Sequence, residues 1–137
     1  MISKLGKKLG LGRQTDKSVD WKMENTRLVS LIRDGNVEEA REAAQKLLEW
    51  VEKKFSKDAP EKATTYNNMG MVLMMDEDYD LADDCFREAL AMRKRIYGPQ
   101  HQEVALVLMN LIQLYKQQAR DILVKTSVGV QTEPAGA

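Results

Sequence analysis

Apolar and small residues recur at helical spacing along most of the chain, and five such segments lie between turn signals. The clearest pattern spans 66–99, where one apolar stripe ends before the acidic stretch 76–78 and a second follows it. Two antiparallel helices packed face to face produce such a pair of stripes. Gly70 and Ala82 stand where bulk would separate these helices, and Phe86 would fill the space beside them.

Glycine, proline and polar capping residues predict where the five helices begin and end. The first is expected to begin at Ser18 or Asp20 and to end before Gly35, and Gly98-Pro99 is expected to end the fourth. The other helices are predicted over about 36–55, 58–75, 79–97 and 102–121. The fifth is apolar on more than one face, which indicates that it is covered on two sides.

Two capping boxes are predicted at helix starts, each with a glutamate three residues after a capping side chain. One pairs Asn36 with Glu39 at the second helix, and the other pairs Asp58 with Glu61 at the third. Pro60 lies between the members of the second box and suits the first turn of a helix.

The chain repeats itself at an offset of 42 residues. The matched pairs include Ala40 with Ala82, Phe55 with Tyr97, Ala63 with Ala105, Asn68 with Asn110, and Leu73 with Tyr115. The offset predicts an all-α fold of antiparallel helical hairpins, namely two repeats followed by one further helix that acts as a C-terminal cap. The expected divisions are a tail over 1–17, a helical domain over 18–121 and a tail over 122–137, with the repeats over about 18–57 and 58–99 and the cap over about 102–121.

This arrangement resembles the tetratricopeptide repeat, whose signature places Leu-Gly and Tyr in one helix and Ala and Phe in the next. Gly70, Ala82 and Phe86 carry the resemblance, while Met69 replaces the Leu and Leu73 replaces the Tyr. The units are longer than the usual repeat of about 34 residues, and with the stretch GPQHQEVA they look like the repeats of kinesin light chains and related bacterial proteins. The resemblance covers roughly 21–119 and implies a solenoid that binds other proteins.

The resemblance further implies that the first helix of each pair lines a concave groove, which we expect to bind a peptide segment of a partner protein. Amides can bond a peptide backbone whatever its sequence, and flexible methionines adapt to varied apolar side chains. The expected groove residues are Lys22, Asn25, Val29, Ile32, Arg33, Thr64, Asn67, Met71, Met74, Met75, Leu106, Met109, Gln113, Lys116 and Gln117. A competing interpretation is that the methionines complete the core or a subunit contact.

Two further interpretations concern the fifth helix and the tail that follows it. In the first, the protein is structural, and the apolar residues Leu106, Met109 and Leu114 drive self-association into a homo-oligomer. In the second, the tail from Ile122 folds back into the groove as an internal ligand. The tail has strand propensity over 122–124 and 127–132.

The composition of the chain argues against several classes of protein. Lys+Arg and Asp+Glu both number 21, so no net charge points to nucleic acid. The single cysteine, Cys85, excludes an internal disulfide, and the longest apolar runs are far shorter than the roughly 20 residues that span a bilayer. The resemblance implies an adaptor or scaffold, and with this composition we expect it in the cytoplasm, with no secretory signal and no transmembrane segment.

Few residues could carry chemistry, and we expect no enzyme, no cofactor and no metal site. His101, the only histidine, lies in the loop before the fifth helix and is expected to pack that loop. Cys85 is expected to be a small, partly buried residue whose acidic neighbours blunt its reactivity. The acidic cluster 76–80 lacks the glycine and spacing of a calcium loop and reads as a solvated turn.

The segment 1–17 carries five cations against Asp16 alone. Its glycines disfavour a helix, so we expect a flexible basic tail. The alternative is a segment, centred on 1–13, that folds on an anionic membrane surface or on an acidic partner.

Overall fold

A computed structural model describes residues 3–12 and 19–127. Within these ranges the chain forms helices and no strand. The helices are α1 (Lys4–Lys8), α2 (Trp21–Arg33), α3 (Val37–Lys54), α4 (Pro60–Met75), α5 (Tyr79–Tyr97) and α6 (Gln102–Thr126). The five predicted helices correspond to α2 to α6, and the predicted all-α arrangement of helical hairpins is confirmed.

The helices pack in two layers. α2, α4 and α6 lie side by side in the inner layer, while α3 packs against both α2 and α4, and α5 packs against both α4 and α6. The core between the layers consists of apolar side chains that solvent does not reach, including Leu28, Leu48, Val51, Tyr66, Val72, Phe86, Met92 and Leu114.

Gly70 allows α4 and α5 to approach closely. A Cβ atom added at this position would lie 2.6 Å from Cε1 of Phe86, well inside van der Waals contact. The small residue is therefore required by the aromatic ring that packs over it, as the sequence pattern predicts.

The turns that end α2 and α4 have the same backbone geometry. Gly35 has φ 76°, and the N–H of Asn36 bonds the carbonyl of Leu31. Glu77 has φ 60°, and the N–H of Asp78 bonds the carbonyl of Leu73. Both are Schellman-type helix ends, and the second is made without glycine.

Neither predicted capping box forms. Asn36 makes no side-chain cap, because its backbone (φ −82°, ψ 76°) is away from the extended conformation in which a cap side chain reaches the first turn. The N-cap of α4 is Ala59, and the Asp58 carboxylate instead accepts two bonds from Arg95, at 2.6 and 3.0 Å. This guanidinium lowers the pKa of Asp58. Pro60 is the first residue of α4, as predicted.

The structure differs from the expected flexible tail over residues 3–12, which we call the N-terminal segment. After α1 the chain turns at Gly10, whose φ is 78°, and both Leu9 and Leu11 are buried. The segment lies against α3 and α5: Gln45 donates to the carbonyl of Leu9 at 2.8 Å, and Lys8 lies 3.6 Å from Asp84. The glycines that disfavour a long helix here permit a turn that buries two leucines. Residues 1–2 and 13–18 of the expected tail lie outside the described residues.

The last helix is longer than predicted. α6 continues from Asp121 to Thr126, so the strand expected at 122–124 is wrong, and nothing between 118 and 127 breaks a helix because the stretch has no glycine or proline. Residues 128–137, which include most of the second expected strand, lie outside the described residues. No helix of the described part of the chain is long and apolar enough to cross a membrane.

Candidate functional site

The inner helices are joined by paired asparagines. Oδ1 of Asn25 accepts from Nδ2 of Asn68 at 2.7 Å, and Oδ1 of Asn67 accepts from Nδ2 of Asn110 at 2.9 Å. The same pair therefore links α2 to α4 and α4 to α6, one repeat apart. We call these contacts the asparagine ladder. Among the described residues, no acceptor is bonded to Nδ2 of Asn25 or of Asn67, so each amide keeps two donors for a ligand.

Further polar side chains of the expected groove also bond within the fold. Gln117 donates to the carbonyl of Met74 at 3.2 Å, and Thr64 accepts from Arg93 at 3.2 Å. Between α2 and α4, the indole N–H of Trp21 donates to the hydroxyl of Thr65 at 2.9 Å. These groups hold neighbouring helices together, which leaves them less free to bind a peptide.

Arg93 is a buried cation at the centre of one such contact. It donates to the carbonyl of Glu103 at 2.9 Å and lies 3.2 Å from the Glu103 carboxylate. Its neighbours Lys94 and Arg95 are exposed. Of these three consecutive cations, Arg93 alone is buried, so the exposed basic face of α5 does not include it.

The expected methionine patch is divided by the structure. Met71 and Met75 are half-buried and Met109 is exposed, but Met74 is buried in the core. Met74 is thus excluded from the groove lining, in agreement with the competing interpretation for that residue alone.

The other expected groove residues remain accessible to different degrees. Those exposed are Lys22, Val29, Arg33, Leu106, Gln113 and Lys116. Those half-buried are Asn25, Ile32, Thr64, Asn67 and Gln117. The accessible residues of the expected groove include three cations and no carboxylate. They therefore carry a positive charge, although the chain as a whole is neutral.

The expected self-association surface is also changed. Leu114 faces the core and is fully buried, so it cannot contact a second molecule. Leu106 and Met109 are exposed, and so are Leu108, Ile112 and Tyr115 on the side of α6 that points away from α4. Sequence reasoning recognised this second set as apolar but did not assign it to self-association, because Leu108 and Tyr115 occupy repeat positions of core residues.

His101 packs its loop as predicted. Its ring stacks on Tyr97 with centroids 4.4 Å apart, and Nδ1 accepts from the N–H of Glu103 at 3.1 Å to cap α6. Cys85 is fully buried, and burial, followed by the charges of Asp84 and Glu88, raises the pKa of its thiol far above the usual value. Neither side chain is placed for catalysis.

Among the described residues, no group of histidine, cysteine, aspartate and glutamate could hold a metal ion. The expected acidic turn is bound to the first repeat, since Asp76 forms an ion pair with Arg41.

A cavity of about 490 Å³ lies apart from the expected groove, beside the N-terminal segment and the end of α3. Its lining includes Leu11, Glu49, Glu52, Phe55 and Lys62.

The paired hairpins, the repeat offset and the Gly70 contact together describe a helical repeat protein. The family model for the tetratricopeptide repeat matches residues 29–92 and 61–121, which together cover more than half of the chain. The chain belongs to the tetratricopeptide repeat family. Such repeats generally mediate protein–protein interaction and are typically non-enzymatic. No curated protein and no solved structure matches the chain. The closer likeness to kinesin light chains stays a prediction.

Proposed function

We propose that this tetratricopeptide repeat protein is a non-enzymatic adaptor that binds a peptide segment of another protein in the concave groove of α2, α4 and α6. A reducing compartment suits the free thiol of Cys85, and the proposal therefore includes a cytoplasmic location. The observation that carries it is the asparagine ladder, which fixes two amides while leaving their nitrogens without acceptors in the described part of the chain.

The ladder supplies preorganised donors. Each Oδ1 is held by the next helix, so the amide plane is already set before a ligand arrives. A donor that is ordered in advance loses less entropy on binding than a free side chain does. The nitrogens of Asn25 and Asn67 therefore suit peptide carbonyls, one repeat apart.

Apolar and charged groups beside the ladder indicate what else the peptide carries. Met71 and Met109 offer adaptable contacts for an apolar side chain. Lys22, Arg33 and Lys116, the three cations of the expected groove, are exposed. We infer that the ligand is an extended or helical peptide with an apolar residue near its centre and acidic residues flanking it.

The first prediction tests the donor at Asn67. Asn67→Asp keeps an oxygen that can accept from Asn110 but removes the amide donors, so peptide binding is expected to weaken at least about tenfold, the effect of losing one hydrogen bond at an ordered site. Peptides selected from a random library against the full chain, measured by titration calorimetry, provide the readout. Adding Met71→Glu should abolish binding with helix content unchanged.

Two controls separate the groove from the scaffold. Asn110→Ala breaks the same ladder contact but leaves the Asn67 donors in place, so it should weaken binding less than Asn67→Asp does. Lys46→Glu on the outer face should have no effect, because Lys46 is exposed on α3. Equal affinities for Asn67→Asp and the unmodified chain would refute the groove model.

A further inference from the structure

α6 corresponds to the first helix of a repeat, and the described chain contains no second helix that packs on the side of α6 pointing away from α4. In the second repeat, α4 presents Ala63, Tyr66, Gly70 and Leu73 to the core under α5, and all four are buried. The α6 residues one repeat later are Ala105, Leu108, Ile112 and Tyr115, and all four are exposed. Within the described chain no helix takes the place that α5 has over α4, although Asp83 and Arg87 of α5 bond the hydroxyl of Tyr115.

The exposed stripe continues past the end of the repeat. At helical spacing it extends through Ala119 to Leu123, on the last turns of α6. Its large members are well exposed: Leu108 at 44%, Ile112 at 57%, Tyr115 at 41% and Leu123 at 62%. An apolar surface of this extent on a monomer commonly marks an interaction site.

A further repeat helix of the usual kind does not suit this surface. Ile112 stands where the preceding repeat has Gly70, and a single Cβ at Gly70 would already lie 2.6 Å from the ring of Phe86. A helix carrying an equivalent phenylalanine could not approach α6 as α5 approaches α4. The occupant must therefore place a small residue opposite Ile112.

A second copy of the same stripe, packed antiparallel, supplies the small residue that must lie opposite Ile112. About the midpoint between 115 and 116, Leu108 is symmetric with Leu123, and Ile112 is symmetric with Ala119. An antiparallel second α6 would thus set leucine against leucine and isoleucine against alanine. Such self-complementarity is the property of an isologous, two-fold contact.

We propose that this face of α6 docks the same face of a second copy of the chain, antiparallel and centred between Tyr115 and Lys116. The dimer contact lies at the end of the solenoid and does not rest on the peptide-binding function, although Lys116 belongs to both surfaces.

The antiparallel arrangement also sets Lys116 of one copy against Tyr115 of the other, so an ammonium group approaches an aromatic ring. The hydroxyl of this tyrosine is held between an acid and a cation, since it bonds the Asp83 carboxylate and accepts from Arg87 at 2.7 Å.

Head-to-tail stacking lacks a matching apolar surface. The exposed large apolar side chains of α2, at the other end of the solenoid, are Met23 and Val29, against four on the stripe of α6.

The available area predicts a modest affinity. The four large side chains expose on the order of 400 Å² per copy, so the pair, with the Lys116 stems and alanines, buries about 1,000 Å², the lower limit for specific interfaces. We expect a dissociation constant in the micromolar range, roughly 1–100 μM.

Sedimentation equilibrium of the full chain tests the proposal. From about 1 μM to about 500 μM, the mass should rise from 15.6 kDa to twice that value. Ile112→Glu should raise the dissociation constant at least about 100-fold, because two carboxylates would enter one apolar contact. Met23→Glu is the matched control: Met23 is 60% exposed on α2, and this variant should associate like the unmodified chain.

Cross-linking tests the orientation. A short bifunctional maleimide should join Leu108→Cys chains to Leu123→Cys chains in a mixture, but neither variant to itself, because the antiparallel pair separates like positions by about 22 Å. Cys85 is buried and serves as the unreactive background. A monomer at all concentrations would overturn the proposal. So would loss of association in Met23→Glu, or cross-linking of either variant alone.

Discussion

Glu77 occupies, at the end of α4, the left-handed position that Gly35 occupies at the end of α2. The two residues are one repeat apart, and their φ angles are 60° and 76°. A side chain in this region costs roughly 1–2 kcal/mol. The glutamate is therefore strained.

A substitution at this position should stabilise the fold. Glu77→Gly is expected to raise the free energy of unfolding by about 0.5 kcal/mol, since relief of strain exceeds the roughly 0.4–1 kcal/mol of added unfolded-state entropy. Urea denaturation would measure it. Gly35→Ala is the matched control and should destabilise, although its Cβ meets no described atom within 4 Å. A destabilised Glu77→Gly variant would show that the carboxylate makes a compensating contact.

Single residues also show where sequence reasoning stops. The repeat offset identifies Asn68 and Asn110 as equivalent, but it does not reveal that the asparagines pair across helices with a shift of one position. The repeat alignment predicts Met74 in the groove, yet its side chain is buried in the core. Such differences depend on how neighbouring helices lie against each other.

At the scale of elements, the helices, the start of α2 at Asp20 and the glycine ends at 35 and 98 were predictable, and the two capping boxes were not. Periodicity and the glycines at 35 and 98 locate α2 to α5 within a few residues. The Asp58 box failed because a long-range partner, Arg95, binds the carboxylate more strongly than a local N–H would. Local motifs predict local contacts only when no better partner approaches from elsewhere in the fold.

The N-terminal segment makes the next prediction. Two buried leucines are worth about 1.5–3 kcal/mol each, whereas the exposed Lys8–Asp84 pair contributes below about 1 kcal/mol. Leu9→Ala with Leu11→Ala should therefore detach the segment and raise amide exchange over 3–12 at least tenfold, a change of about 1.4 kcal/mol. Hydrogen exchange read by mass spectrometry measures this.

A control variant separates the contribution of the Lys8–Asp84 ion pair from that of the two leucines. Lys8→Ala should change exchange over the same peptides by less than about fivefold, because only the exposed ion pair is lost. The reverse order of effects would mean that attraction between the basic segment and the acidic face of α5 holds it in place.

For the whole molecule, the 42-residue offset was sufficient to predict the architecture, since stacked repeats of this kind leave few alternatives. It could not predict how the ends are finished. The N-terminal segment covers α3 and α5, while α6 keeps one face uncovered in the described chain. The first and last helices have no neighbouring repeat on their outer side. Comparison of the repeats with each other therefore does not show what covers that side.

Arg93 connects the parts of the solenoid and makes the last prediction. Its guanidinium, on α5, bonds Thr64 of α4 and both the carbonyl and the carboxylate of Glu103 at the start of α6. Arg93→Ala should lower the free energy of unfolding by about 3 kcal/mol, because a buried cation and its partners lose their bonds together. Arg95→Ala, which removes an exposed pair with Asp58, should cost less than about 1 kcal/mol in the same urea titration. If the two variants were equally stable, Arg93 would not hold the three helices together, and the junction between the second repeat and α6 would depend on apolar packing alone.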